Sequence, residues 1–485
     1  MLDTCARDHG VRRRSARTDP DPPRATTEEE EKPMVYRRFA AVLIAGLLAG
    51  CSASATPSPS ASSSAPASGA PAGSASAAPS ASPTSAAPVT ITLWQNYGTE
   101  ANAPATYAFV KAYEALHPNV TINVVSQPAA NYFALLTAAA ISKTGPCLAT
   151  QWTGLFTLQD KSYLEPLNNY IPMSTLKQFK GIEWGSDNFN PDSGVYVVPW
   201  EMQTYNGFYN KKLFAQAGIT TLPTTWAELA VVDQKLKAAG IQPFVYGTGA
   251  QGLTAGFYPY YDLSYMMMML PVADWQKLYD GSLPWTDPTI QAQLDKWVAL
   301  KANGYTNQDV LNDTQSFQQF LSGKAAMTLE GTWAISAVEK AMGSNVGVFL
   351  PPFVDQPLKG IVEFPGDGFA MTNYCPNKDV AADFLKFLAD PAAQKIVADE
   401  GLIPSVIGDS ASDPLANALL NYAANQGYTR YPMIDNVIQG EVQAVGATVL
   451  VAAFAGTMST HDALQKMQDA LMALPPDRRS ASGYK

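Results

Sequence analysis

The sequence predicts an α/β protein built as two domains, and three observations carry that prediction. Ile91 and Leu93 alternate as a strand, Phe109, Val110, Tyr113 and Leu116 recur at helical spacing, and Val120, Ile122 and Val124 alternate again. Strand, helix and strand at this spacing make a parallel βαβ unit. About 400 residues follow a low-complexity linker, more than one hydrophobic core usually organises. Further strands and helices then follow one another to the C-terminal end.

Taken in order, the first helix opens at Pro104 and stops at His117-Pro118. A second helix starts at Thr225, which forms a capping-box pattern with Glu228, and Gly240 ends it. Residues 241–246 read as the next strand, and strand signals recur at 325–329, 346–349 and 369–372. Residues 377–388 form an amphipathic helix with Val380, Phe384, Leu385 and Leu388 on one side. Asp390-Pro391 caps and opens another helix, which Gly401 ends. Trp226 and Trp297 sit where helix packing accounts for them. The run 266–269 with Leu270 is a buried helix segment, far short of the roughly 20 apolar residues that span a bilayer.

The N-terminal region has its own logic. Arg37-Arg38, the apolar run 39–47 and Leu48-Ala49-Gly50 have the layout of a secretory signal over 34–50. Cys51 directly after these small residues resembles the bacterial lipobox, which implies that Cys51 is the lipidated first residue of the mature chain. Residues 52–88 are Ser, Ala, Pro, Thr and Gly, so 51–88 is expected to be a lipidated cysteine on a disordered linker. An O-glycosylated stalk has the same composition. Met34-Val35-Tyr36 begins a better signal than Met1, so residues 1–33 are expected to lie upstream of the true start.

The net charge of −10 argues against nucleic acid as a partner. Only His9, His117 and His461 are present, leaving little material for a zinc site or a Ser-His-Asp triad. No phosphate loop, GxSxG or HExxH occurs, and no cofactor or metal is expected. A glycoside hydrolase needs only two carboxylates about 5–10 Å apart. That class survives, with Glu201 and Asp367 as its candidates. With Cys5 upstream and Cys51 lipidated, Cys147 and Cys375 remain as an even pair: a disulfide if the chain is exported, or two separate buried thiols.

Several blocks now line up. They are Tyr196-Val197-Val198-Pro199, Tyr209-Asn210-Lys211-Lys212-Leu213-Phe214, Pro223-Thr224-Thr225-Trp226-Ala227-Glu228, Gly323-Lys324-Ala325-Ala326-Met327, Gly331-Thr332-Trp333 and Gly366-Asp367-Gly368-Phe369-Ala370. In this order and spacing the chain resembles the extracellular solute-binding proteins of ABC transporters, most closely the carbohydrate-binding branch around maltose-binding protein. Where that family has Gly-x-x-Pro-Asp, this chain has Gly145-Pro146-Cys147. The resemblance implies a two-lobed periplasmic-binding-protein-like fold of type II, with a hinge and an interlobe cleft. Lobe one is expected at 89–198 and 366–410, lobe two at 199–365 and 411–475, and 476–485 as a tail. It also implies that the strand at 369–372 runs antiparallel beside the third strand, which brings Cys147 and Cys375 together as a disulfide.

Sugars present C–H faces that stack on aromatic rings and hydroxyls that need polar partners. Ligands of open α/β sheets bind beyond the carboxyl ends of strands. Trp94, Gln95 and Asn96 after the first strand are therefore candidates, as are Gln151 and Trp152 after the third. Glu201 and Gln203 follow Pro199, and Tyr258 lies in an aromatic loop after a Gly-rich stretch. By resemblance, Trp333 is a stacking platform and Asp367 accepts sugar hydroxyls near an interlobe crossing. The function expected is a lipid-anchored, extracellular, monomeric binder on the cell membrane, delivering an oligosaccharide to ABC permease subunits. A surface glycosidase and a binder of a non-sugar solute are the alternatives.

Overall fold

A computed structural model describes residues 87–98, 100–247, 258–408 and 410–480. The signal segment, Cys51 and nearly all of the linker lie outside the described residues. Twelve strands lie among the described residues: β1 Val89–Gln95, β2 Val120–Ser126, β3 Leu148–Trp152, β4 Val197–Pro199, β5 Glu201–Asn210, β6 Gln242–Phe244, β7 Ala325–Gly331, β8 Val346–Phe349, β9 Gly360–Pro365, β10 Asp367–Met371, β11 Ile403–Pro404 and β12 Thr429–Tyr431. They form two sheets, and helices cover both, giving the two-lobed α/β fold.

The first sheet has the order β2-β1-β3-β10-β4. β1 runs parallel to β2 and to β3, and the helix Asn102–Leu116 makes the first crossover. β10 enters antiparallel between β3 and β4, with Met371 opposite Leu148 and Asp367 opposite Trp152. Its core joins Leu93, Phe109, Tyr113, Trp200, Phe369 and Phe384, all fully buried. The second sheet is seven-stranded and built on β5, the longest strand. One half of β5 pairs with β9 and β11, and the other half with β7 and β8. A second core gathers Phe208, Trp275, Trp285, Trp297 and Phe454.

The chain passes between the sheets through single residues. Trp200 alone separates β4 from β5, and Gly366 alone separates β9 from β10. The Gly366 N–H donates to the Glu201 carbonyl at 3.3 Å, and β11 pairs with the start of β5, so three passages lie side by side. Trp200 anchors this bundle in the first core, edge-on to Phe109 at 5.1 Å and to Tyr97 at 6.3 Å.

Several elements differ from expectation for local reasons. The first helix starts at Asn102 rather than Pro104, because the buried Asn102 amide donates to Glu201. The strand expected at 241–246 shortens to Gln242–Phe244, since the Asn307 side chain takes both the N–H and the C=O of Tyr246. β7 runs on to Gly331, which pairs with Tyr205. Thr225 caps its helix through the Glu228 N–H at 3.2 Å, whereas the Glu228 carboxylate reaches back to Thr224. Asp390 opens its helix with its carbonyl, not its side chain. The methionine run is the end of the helix Pro259–Met266 and a 3₁₀ turn, with Met266 and Met267 in the core.

Cys147 precedes β3, Cys375 follows β10, and the two are disulfide-bonded with Cα atoms 4.5 Å apart. The antiparallel register puts the two strand ends side by side. Removing this cross-link frees the unfolded chain over a long loop, so Cys375→Ser is expected to cost about 2–4 kcal/mol. Urea denaturation should show that loss, and the wild type under reducing conditions should reproduce it.

Candidate functional site

A cavity of about 180 Å³ lies between the sheets, beyond the carboxyl ends of β1 and β3. Asn96 and Tyr97 follow β1 directly, and Trp152 ends β3 with Thr153 after it. The second lobe contributes Gln203 from β5, Tyr258 and Tyr261 at the start of their helix, Trp333 after β7 and Phe364 near the end of β9. Gly366 and Asp367 line it at the crossing, and Met433, Asp435 and Asn436 come from the turn after β12.

Aromatic rings form two opposed groups. On one side Trp152 packs edge-on to Phe133 at 4.7 Å and to Phe156 at 5.0 Å. On the other, Trp333 lies 5.6 Å from Tyr261, which stacks on Tyr205 at 4.4 Å. Position 331 must be glycine for this: a Cβ there would meet the Trp333 ring at 2.0 Å. The indole N–H donates to Glu330 at 3.1 Å, which fixes the ring's rotation. Gly366 plays the same part for Gln203, whose side chain lies against it, 2.2 Å from where a Cβ would be.

The polar wall is rich in acceptors. Asn96 Oδ1 and Asp435 Oδ1 are buried without a hydrogen-bond partner among the described residues. Buried polar atoms are normally satisfied, so such atoms on a cavity wall mark where a ligand's donors belong. Asp435 Oδ2 accepts the Tyr258 hydroxyl at 2.6 Å, and that hydroxyl accepts from Gln443 at 2.9 Å. Burial alone raises Asp367 to a pKa of about 7. Burial raises Asp435 to about 6, partly offset by the Tyr258 hydrogen bond, and Glu330 to about 7, partly offset by the Trp333 N–H.

Asn96, Trp152, Gln203, Tyr258, Trp333 and Asp367 are thus brought together around one space. Four other candidates are not. β1 continues through Gln95, so strand alternation turns Trp94 onto the opposite face, against Tyr132, Leu136 and Ala149. Gln95 is spent on Ser126 and on the Tyr97 N–H at 2.7 Å. Gln151 lies inside β3 and donates to Asp160 at 2.9 Å. Glu201 sits behind the wall, fully buried, accepting from Asn102 and from Gln203 at 2.8 Å; burial, then the neighbouring Asp367 charge, push its pKa well up. It positions Gln203 instead of facing the cavity. Sequence reasoning did not find Phe156, Asp435 or Asn436. Phe156 looks like a helix-core residue, and the last two sit in a short 3₁₀ turn without a motif.

The family described as bacterial extracellular solute-binding protein matches residues 97–395. A maltotriose-binding protein of Pyrococcus abyssi is 25% identical over 343 residues, covering 67% of this chain and 68% of that protein. The glycerol-3-phosphate-binding periplasmic protein of Salmonella typhimurium is 28% identical over 236 residues, 44% of this chain and 51% of its own length. Among solved structures, a chitin oligosaccharide binding protein superposes with a TM-score of 0.67 at 23% identity, over 79% of this chain and 98% of that one.

The buried carboxyls predict a pH signature. Each has a folded pKa above its unfolded value, so the folded state holds the extra proton between about pH 4 and 7, and stability falls as pH rises through that window. Thermal denaturation of the unliganded protein is expected to show a lower Tm at pH 7.5 than at pH 5. Asp367→Asn should flatten that slope by about 1–4 kcal/mol across the window.

Proposed function

We propose that this chain, which belongs to the bacterial extracellular solute-binding protein family, captures an oligosaccharide outside the cell and delivers it to an ABC permease. The observation that carries this reading is the cavity wall itself. Two opposed aromatic groups, centred on Trp152 and Trp333, flank a belt of side-chain oxygens from Asn96, Gln203, Asp367 and Asp435. Flat rings suit the C–H faces of pyranoses, and buried acceptors suit their hydroxyls. The similarity to a maltotriose-binding protein and a chitin oligosaccharide binding protein points the same way.

The hinge follows from the single-residue passages at Trp200 and Gly366. Small torsional changes there swing one sheet against the other, and a ligand that touches both lobes shifts the population toward the closed form. The permease then reads the closed form. Upstream, the signal at 34–50, the lipidated Cys51 and the linker tether a monomeric receptor to the outer face of the cell membrane. The chemistry required is recognition only. Of the two carboxylates proposed for a glycosidase, Glu201 is buried away from the cavity while Asp367 lines it.

Calorimetry against mono- and oligosaccharides of different linkage tests the reading, and absence of binding across such a panel overturns it. Labelled sugars incubated with the protein are expected to return unchanged. Trp333→Ala should weaken binding by about 1–3 kcal/mol, since a stacking platform is lost. Unaltered affinity in that variant would remove Trp333 from the site. For the anchor, Cys51→Ala is expected to release the protein from the membrane fraction into the medium, as immunoblotting of both fractions would show.

A further inference from the structure

The charge balance of the cavity goes further than its aromatic lining. Glu100, Asp367 and Asp435 line it, and Glu201 and Glu330 stand directly behind it. No Lys, Arg or His lines it among the described residues. Residues 248–257, which precede Tyr258 and lie outside the described set, include no basic residue. Several more exposed acids are paired, Glu165 with Lys378, Asp187 with Lys161 and Glu441 with Arg478, whereas the buried Asp233 and Asp262, outside the cavity lining, have no cation partner among the described residues. Glu201, Glu330, Asp367 and Asp435 have no such cation among the described residues, although all four are buried.

Burial first, and then Glu330, Asp435, Glu100 and Asp367, disfavour the ionised form of the Tyr261 hydroxyl. Of the unsatisfied polar atoms on lining residues, Asn96 Oδ1 and Asp435 Oδ1 are acceptors, and the Tyr97 hydroxyl can donate or accept. A ligand fitted to this wall therefore brings donors and, to offset several desolvated carboxyls, positive charge. A neutral sugar supplies hydroxyls, which donate and accept, but no charge. A protonated amine supplies three donors, no acceptor and a charge. A uronate or a sugar phosphate adds like charge.

We propose, on the reading that the cleft holds a sugar, that its ligand is an oligosaccharide bearing a protonated amine, the ammonium seated among Asp367, Asp435 and Glu100. Neutral sugars of the same shape then bind more weakly, and acidic ones are rejected.

The test titrates the full chain with glucosamine trisaccharide, its N-acetylated counterpart, maltotriose and trigalacturonate, at a pH that keeps the amines charged. The free-amine sugar is expected to bind at least about tenfold tighter than its acetylated twin, the scale of one charge-assisted contact. That advantage should shrink as salt rises. Asp367→Asn and Asp435→Asn should each narrow the ratio of free-amine to acetylated affinity, and circular dichroism of both variants checks that they are folded. Equal or weaker binding of the free-amine sugar overturns this inference and leaves the sugar reading standing. So does a preference that survives both substitutions. No binding of any sugar overturns both.

Discussion

The hydrogen bond from the Gly366 N–H to the Glu201 carbonyl holds the design together. It clasps two passages that are each one residue long, so the lobes are joined without slack. The same place organises the pocket. Gly366 is bare enough for Gln203 to lie on it, Asp367 emerges opposite Trp152, and Glu201 braces Gln203 from behind. Hinge and binding wall are therefore one piece of backbone. Movement there would reposition residues that line the cavity.

Around that clasp the protein accepts an electrostatic burden. Carboxyls are taken out of water and given neutral donors, such as the Trp333 indole and the Tyr258 hydroxyl, instead of cations. Burying charge without a counter-charge is unfavourable, and proteins tolerate it mainly where function recovers the cost. The aromatic groups contribute the reverse: large apolar area held in fixed orientation by edge contacts and by the Gly331 gap. The pocket is stiff in its rings and poised in its charges.

Much of this was legible in the sequence, and the reasons are physical. Strands such as β1, β2 and β8 announced themselves through alternation, and the helix after Thr225 through its cap. The block at Gly331-Thr332-Trp333 pointed, by resemblance, to a ring at Trp333, and Gly366-Asp367 to a close crossing. Strand length was not legible: Trp94 and Gln95, expected after the first strand, lie within it, and Trp94 packs against Tyr132, Leu136 and Ala149. Glu201 looked like a ligand group because it follows Pro199, yet burial depth is a tertiary property that spacing does not encode. Asp435 and Asn436 were invisible because a 3₁₀ turn has no periodicity, and their place depends on how the turn after β12 packs against the first lobe.

The strand order of the first sheet also bears on how such a chain is made. β10 sits between β3 and β4, yet it is synthesised only after most of the second sheet. The second sheet in turn waits for β11 and β12. The first sheet lacks a strand until β10 has emerged, and the second until β12 has, so a chain crossing a membrane N-terminus first spends most of its passage with unpaired strand edges. Interleaving of this kind binds the halves into a single unit of biogenesis, and a cut at either linker residue would part β10 from the other strands of the first sheet.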